Sequence, residues 1–176
     1  MEDWPRIVSE HGEAVWRAAF RLLGNEADAA DCVQETFVAA VKVSRRQPVR
    51  NWPALLRRLV STQALSMLRR RLRHRKHLDA AAAETCDAQD CGPGPTDRAE
   101  ANEAADMLRR ALARLPEQQA AVLSLRFFED LSYDEIAEAL GLKSSAVGVL
   151  IHRARIKLRE LMAAESAAAV PEVQHG

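Results

Sequence analysis

Residues Leu131–Leu161 read LSYDEIAEALGLKSSAVGVLIHRARIKLREL. Ser132 and Glu135 stand at the S-x-x-E spacing of a capping box, in which the hydroxyl and the carboxylate each satisfy a backbone N–H left free at a helix start. The spacing predicts a helix that begins at Ser132. Its apolar positions Ile136, Ala137 and Leu140 recur with helical period, and Gly141 offers the left-handed residue that often closes a helix. Lys143-Ser144-Ser145 then supplies fresh hydroxyl caps, and Ala146, Val147, Leu150, Ile151 and Ala154 form the apolar stripe of a second helix. The pattern is a helix-turn-helix. From Lys143 to Arg159 the second helix carries Lys143, Arg153, Arg155, Lys157 and Arg159 and no acid, as suits a helix lying against phosphates.

Two packed helices of an ordinary bundle with a solvated basic face would show much of this pattern. The one-sided charge argues for DNA, and so does the segment upstream. Arg114-Leu115-Pro116-Glu117-Gln118-Gln119 places proline at a favoured helix start, and Val122, Leu123, Leu125, Phe127 and Phe128 follow as core candidates.

The run LARLPEQQAAVLSLRFFEDLSYDEIAEALGLKSSAVGVLIHRARIKLREL resembles the promoter-binding region 4 of bacterial RNA polymerase sigma factors, above all the short extracytoplasmic-function type. The matching signatures are LPEQQ, the aromatic pair before LSYDEIAEALGL, and HRAR. The resemblance implies that the second helix enters the major groove of the minus-thirty-five promoter element. Lys143, Ser144, Ser145, Gly148, Val149 and His152 would then lie nearest the bases, with Arg153 and Arg155 nearer phosphates. Where the family usually shows a small-Thr-Val-Lys-Ser-Arg run, this chain reads Ser145-Ala146-Val147-Gly148-Val149-Leu150. Two usual basic contacts are missing, which shifts the expected readout toward apolar contact with thymine methyls.

A chain of 176 residues with 48% hydrophobic content is long enough for one or two compact cores. Aromatics are only 5%, while Ala, Leu, Arg and Glu abound, which favours an all-α architecture. No long uncharged apolar run is present and the N-terminus lacks a signal-peptide pattern, so a cytoplasmic protein without direct membrane association is expected. The zero net charge conceals segregation by block. Residues 1–41 hold eight acids against Arg6, Arg17 and Arg21; residues 42–76 hold twelve basic residues and no acid; residues 79–106 hold eight acids against Arg98 alone. An acid-free block of that density calls for a polyanionic partner.

The spacing predicts a helix over Trp4–Leu23, stopped by Gly24, and a second from Glu26 to about Val43, capped by Asn25 and burying Ala29, Val33, Phe37, Val38 and Val41. Acids in a first helical turn by themselves only complement the helix dipole. The run from Asp28 to Phe37, DAADCVQETF, is however similar to the sigma region 2 helix that docks on the coiled coil of the largest polymerase subunit. On that resemblance Asp28, Asp31, Gln34 and Glu35 contact polymerase and Phe37 belongs to the core. After a turn at Gln47–Pro53, a third helix capped by Asn51 runs through Leu55, Leu56, Leu59, Val60, Leu65 and Leu68, with arginine on its other face. In the family this helix reads and melts the minus-ten element and traps a flipped base, chemistry that needs cations along a single-strand path and a small polar pocket. Thr62, Ser66, Arg69 and Arg70 occupy the matching positions, with Arg71 and Arg73 continuing the basic path. The usual residues at the first two are Asn and Asp, so the amide and carboxylate are lost here and hydroxyls remain.

The expected organisation is therefore two small helical domains: a region 2 unit over 1–78, a flexible acidic linker over 79–101, a region 4 helix-turn-helix unit over 102–162, and a disordered, dispensable tail over 163–176. Cys32 is expected to pack in a helix; His74, His77, Cys86 and Cys91 straddle an alanine run and a Gly-Pro loop, a poor frame for zinc, so no metal and no cofactor is expected. No phosphate loop, nucleophile elbow or catalytic carboxylate pair is present, so no enzyme activity is expected. The partners implied by the resemblance are core RNA polymerase, promoter DNA and an anti-sigma factor. The competing reading is a free-standing helix-turn-helix regulator, which has no need of an acidic docking helix followed by an arginine-lined one.

Overall fold

The computed structural model describes residues 2–82 and 96–169. Seven helices are present among them: α1 (Trp4–Leu23), α2 (Glu26–Ser44), α3 (Trp52–Ala82), α4 (Thr96–Arg114), α5 (Glu117–Phe127), α6 (Tyr133–Leu140) and α7 (Ser144–Ala169). Caps and stops legible in the sequence set most boundaries. The Asp3 carboxylate accepts from the Arg6 N–H at 3.2 Å at the start of α1. Asn25 accepts from the Asp28 N–H at 2.8 Å before α2, and Asn51 accepts from the Ala54 N–H at 3.0 Å before α3. The Ser132/Glu135 capping box is formed in full, and Gly24 and Gly141 close their helices with φ of 75° and 65°.

Helices α1, α2 and α3 pack on one another around Ile7, Val15, Leu22, Leu23, Leu56, Val60 and Leu65. Trp4 meets Trp52 edge to face at 5.3 Å and ties the two helix starts together. Along α2 the buried line is Ala29, Cys32, Thr36 and Ala40, small residues one turn apart that let the backbones of neighbouring helices come close. Val38, expected in this core, is instead 54% exposed. Small side chains carry a weak hydropathy signal, so the true seam is easily passed over in favour of the larger Val38. The Thr36 hydroxyl donates to the Cys32 carbonyl at 2.7 Å, so this buried group is satisfied within its own helix. Burial pushes the Cys32 thiol up to about 11, as expected for a packing cysteine.

The C-terminal unit packs α5, α6 and α7 around Val122, Leu125, Ile136, Val147 and Ile151, with α4 joining through Leu112. Phe127, another expected core residue, is 61% exposed at the mouth of a groove, while Phe128 is half-buried against the core. The hydroxyl of Ser144 does not serve simply as a cap, because it donates to the Asp134 carboxylate and ties the start of α7 to α6.

The segments expected to be flexible carry helix at their described edges. Helix α3 continues through Ala82 and α4 begins at Thr96, so helix occupies both ends of the stretch read as linker. Residues 83–95, with Cys86 and Cys91, lie outside the described residues. The tail is also structured as far as Ala169, because Glu165 is held by two arginines of α4: Arg110 Nε at 2.8 Å and Arg114 Nη1 at 2.6 Å. Replacing Glu165 by alanine would strand both guanidiniums, so Glu165→Ala is expected to lower stability by about 1–2 kcal/mol. That corresponds to a melting point fall of about 2–8 °C for a chain of this size, readable by thermal denaturation. An unchanged melting point would return the segment to the status of a dispensable tail.

Candidate nucleic-acid interface

One side of the helix-turn-helix is open to solvent. Lys143, Ser144 and Ser145 are exposed at the N-terminal end of α7, and Val149, His152 and Arg153 continue that exposed side along the helix. Gly148 lies beside the Tyr133 ring, where an added Cβ would make ordinary contact at 3.6 Å, so packing does not demand glycine there. Tyr133 itself is 44% exposed, with the Arg126 guanidinium 5.8 Å over its ring, and it joins this surface although its sequence position gave no signal beyond a helix start. Arg155 is exposed but also borders the groove lined by Leu108, Leu112, Phe127, Leu158 and Met162, of about 650 Å³, which places it at the edge of the basic face. The pKa of the Glu135 carboxyl is lowered by the hydrogen bonds it accepts from the Ser132 backbone and hydroxyl, which favour the charged form.

On α2, Asp31 and Gln34 are exposed and Glu35 half-buried. Together with Val38, and with Gln63, Met67 and Arg70 of α3, they line a surface recess of about 580 Å³. Glu35 pairs with Arg70 at 3.5 Å. Asp28 is turned aside from this recess: its carboxylate pairs with Arg71 and lies beside the Asn25 amide at 3.3 Å. Val38 is the residue that sequence reasoning missed here, because it was assigned to the core rather than to this exposed recess.

The arginine-lined helix divides. Thr62, Ser66, Arg70 and Arg73 are exposed along α3. The Thr62 hydroxyl donates to the Arg58 carbonyl at 2.9 Å, leaving its lone pairs as acceptors. Arg69 instead donates to the Leu115 carbonyl at 3.3 Å, and Arg71 to the Leu23 carbonyl at 3.2 Å. Burial and the neighbouring Arg109 guanidinium lower the pKa of Arg71. Thr62, Leu65 and Arg69 share a recess of about 350 Å³ with Glu117, Gln118, Ala121, Leu140 and Leu142 of the C-terminal unit. A second recess, of about 320 Å³, is formed by the turn Gln47–Asn51 with Ala54, Leu55 and Arg58. Among the described residues no cluster of His, Cys, Asp and Glu is arranged to hold a metal ion.

These surfaces belong to two family regions. Residues 7–74 match the Sigma-70 region 2 family, and residues 105–158 match Sigma-70 region 4. The ECF RNA polymerase sigma factor SigE of Mycolicibacterium smegmatis is 34% identical over 94% of this chain, which spans 64% of that relative's length. The ECF RNA polymerase sigma factor EcfG of Rhodopseudomonas palustris is 33% identical over 85% of this chain and 79% of its own. Among solved structures, CnrH in complex with the cytosolic domain of CnrY has a TM-score of 0.53 at 27% identity, covering 91% of this chain and 87% of CnrH. The chain is thus of the two-region, all-α sigma class. It belongs to the extracytoplasmic-function family of RNA polymerase sigma factors.

Proposed function

We propose that the chain is a dissociable subunit that directs core RNA polymerase to specific promoters and opens them, without bond chemistry of its own. The observation that carries this is the presence in one chain of a polar recess on α2 that exposes Asp31, Gln34 and Val38, an arginine-lined α3 and the basic face of α7. Docking is assigned to Asp31, Gln34 and Glu35 around Val38, with Asp28 at the edge. The minus-ten strand is assigned to Thr62, Ser66, Arg69, Arg70, Arg71 and Arg73. The minus-thirty-five duplex is assigned to Lys143, Ser144, Ser145, Gly148, Val149, His152, Arg153 and Arg155. The domain division over 1–78 and 102–162 follows the same assignment. The family match over residues 7–74 supports this reading over a free-standing regulator, which would need only the C-terminal unit.

Core polymerase and promoter DNA are the partners, which places the work in the cytoplasm; among the described residues no helix is long and apolar enough to cross a membrane. An anti-sigma factor is assigned as the regulatory partner, a reading supported by the complex that CnrH forms with CnrY. Co-purification with core polymerase and run-off transcription test the proposal together, and a chain that binds duplex DNA yet neither binds polymerase nor supports transcripts would overturn it. At the duplex surface, affinity is expected to fall as salt rises. Arg153→Ala should flatten the slope of log affinity against log salt by about one, because one fewer phosphate is neutralised. A slope unchanged in filter-binding titrations would remove Arg153 from the phosphate contacts.

A further inference from the structure

The basic face of α7 has an apolar gap in it, bordered by an aromatic ring from α6. Ser144, Gly148 and His152 stand four positions apart and form one ridge of α7; Ser145, Val149 and Arg153 form the next. The Ser144 hydroxyl donates to the Asp134 carboxylate, so the first of these ridges passes the start of α6. At Gly148 that ridge is bare backbone. An added Cβ would meet Cε2 and Cδ2 of Tyr133 at 3.6 and 3.9 Å, so the edge of the tyrosine ring borders the space that a side chain at 148 would fill. The neighbouring Val149 is 50% exposed.

Tyr133 is held in place at this gap. The Arg126 guanidinium lies 5.8 Å over its ring and is itself anchored, donating to the Leu131 carbonyl at 2.9 Å. The tyrosine is nevertheless 44% exposed. Glycine is the least favourable residue in a helix interior after proline, and the contacts a Cβ would make at 148 are ordinary ones. Neither helix formation nor packing therefore accounts for Gly148. What the glycine does is leave an edge of Tyr133 uncovered on a face that Lys143, Arg153 and Arg155 make basic. In the major groove the apolar group a base pair presents is the C5-methyl of thymine, and aliphatic and aromatic side chains are what it contacts.

We infer that Tyr133 is a base-reading residue: its ring edge, the bare backbone of Gly148 and the Val149 side chain together receive the methyl group of one thymine in the upstream promoter element. The inference rests on the assignment of the α7 face to that duplex, and it adds a reader that lies outside α7. It also gives the glycine a task. Any side chain at 148 would occupy the space the methyl takes, so the preference for thymine depends on that side chain being absent.

The test uses holoenzyme assembled from the full chain and core polymerase, which selects its preferred duplex from a pool randomised over both promoter elements. That duplex is then resynthesised with each upstream thymine in turn replaced by deoxyuracil, a change that removes the methyl group and nothing else. For the wild type, one such replacement should weaken binding about fourfold, the effect of leaving about one methyl unburied. Gly148→Ala should abolish that penalty, because its own methyl fills the space. The same substitution should raise the melting temperature, since alanine favours helix over glycine, so the lost discrimination would not come from unfolding. Tyr133→Phe, which keeps the ring, should retain the penalty, and Tyr133→Ser should lose it. A penalty that survives Gly148→Ala, or a wild type indifferent to every upstream methyl, overturns the inference. Affinity lost equally on thymine and deoxyuracil duplexes in Tyr133→Ser overturns it too, by making Tyr133 a phosphate contact alone. In each of those cases the selected sequence still shows that the promoter is read, and only the part given to Tyr133 falls; a pool from which nothing is enriched removes the promoter-reading assignment itself.

Discussion

Ser66→Leu is expected to abolish strand opening on duplex promoter while leaving polymerase binding and closed-complex formation nearly intact. Thr62, Ser66 and Arg69 follow one another at about one helical turn on α3, so their side chains share a face. Ser66 is exposed, and its hydroxyl makes no hydrogen bond among the described residues, so a larger side chain there disturbs binding without disturbing the fold. Capturing an unstacked base offsets the few kcal/mol of unpairing that opening costs. A leucine would fill the polar seat and remove that offset. Premelted promoter should then rescue transcription in part, since the unpairing has already been done. Permanganate reactivity of thymines near the start site reads this directly. Normal reactivity in the Ser66→Leu complex would transfer base capture to the recess of the Gln47–Asn51 turn, where Arg58 stands ready as a cation.

Asp31→Arg should weaken core polymerase binding by more than about tenfold, since juxtaposed like charges at an interface cost several kcal/mol. Asp31 is exposed on α2, and its charge lies outside the ion pairs that hold the described residues together, so helix content and melting temperature should stay as in the wild type. Asp28→Arg makes the instructive contrast. It would remove the pair with Arg71 and the carboxylate that accepts from the Asn25 amide, lowering stability as well as any affinity. Competition binding to core polymerase with both variants separates surface contact from structural support. Equal polymerase affinity for Asp31→Arg and wild type would place the docking surface elsewhere than on the α2 recess.

Local chemistry was legible because it acts over a few residues. Asp3, Asn25, Asn51, Ser132 with Glu135, Gly24 and Gly141 each satisfy or close a helix end within three or four positions, so boundaries follow from spacing alone. The helix-turn-helix and the basic face of α7 were legible for the same reason. Charge blocks were legible too, as composition survives any folding. The misassignments have a common origin. Val38 and Phe127 are large and apolar, yet each sits at the rim of an open recess and is more than half exposed, while on α2 the small residues Cys32, Thr36 and Ala40 fill the buried contact instead.

By itself the sequence determined an all-α chain with an acid-bearing helix, an arginine-lined helix and a helix-turn-helix, because helix period, caps and charge are written in neighbouring residues. Only the tertiary structure decided which cations are free. Arg73 stands at the surface and Arg70 pairs with Glu35, whereas Arg69 is spent on the Leu115 carbonyl and Arg71 on Asp28 and the Leu23 carbonyl. It also decided that Glu165 anchors α7 to α4 rather than fraying with a tail, and that Glu129 is buried between Arg21 and Arg57. The physical reason is distance along the chain. Arg69 and Leu115 are 46 positions apart and Arg21 and Phe128 are 107 apart, and a guanidinium takes whichever carbonyl or carboxylate folding brings within reach, which no local pattern encodes.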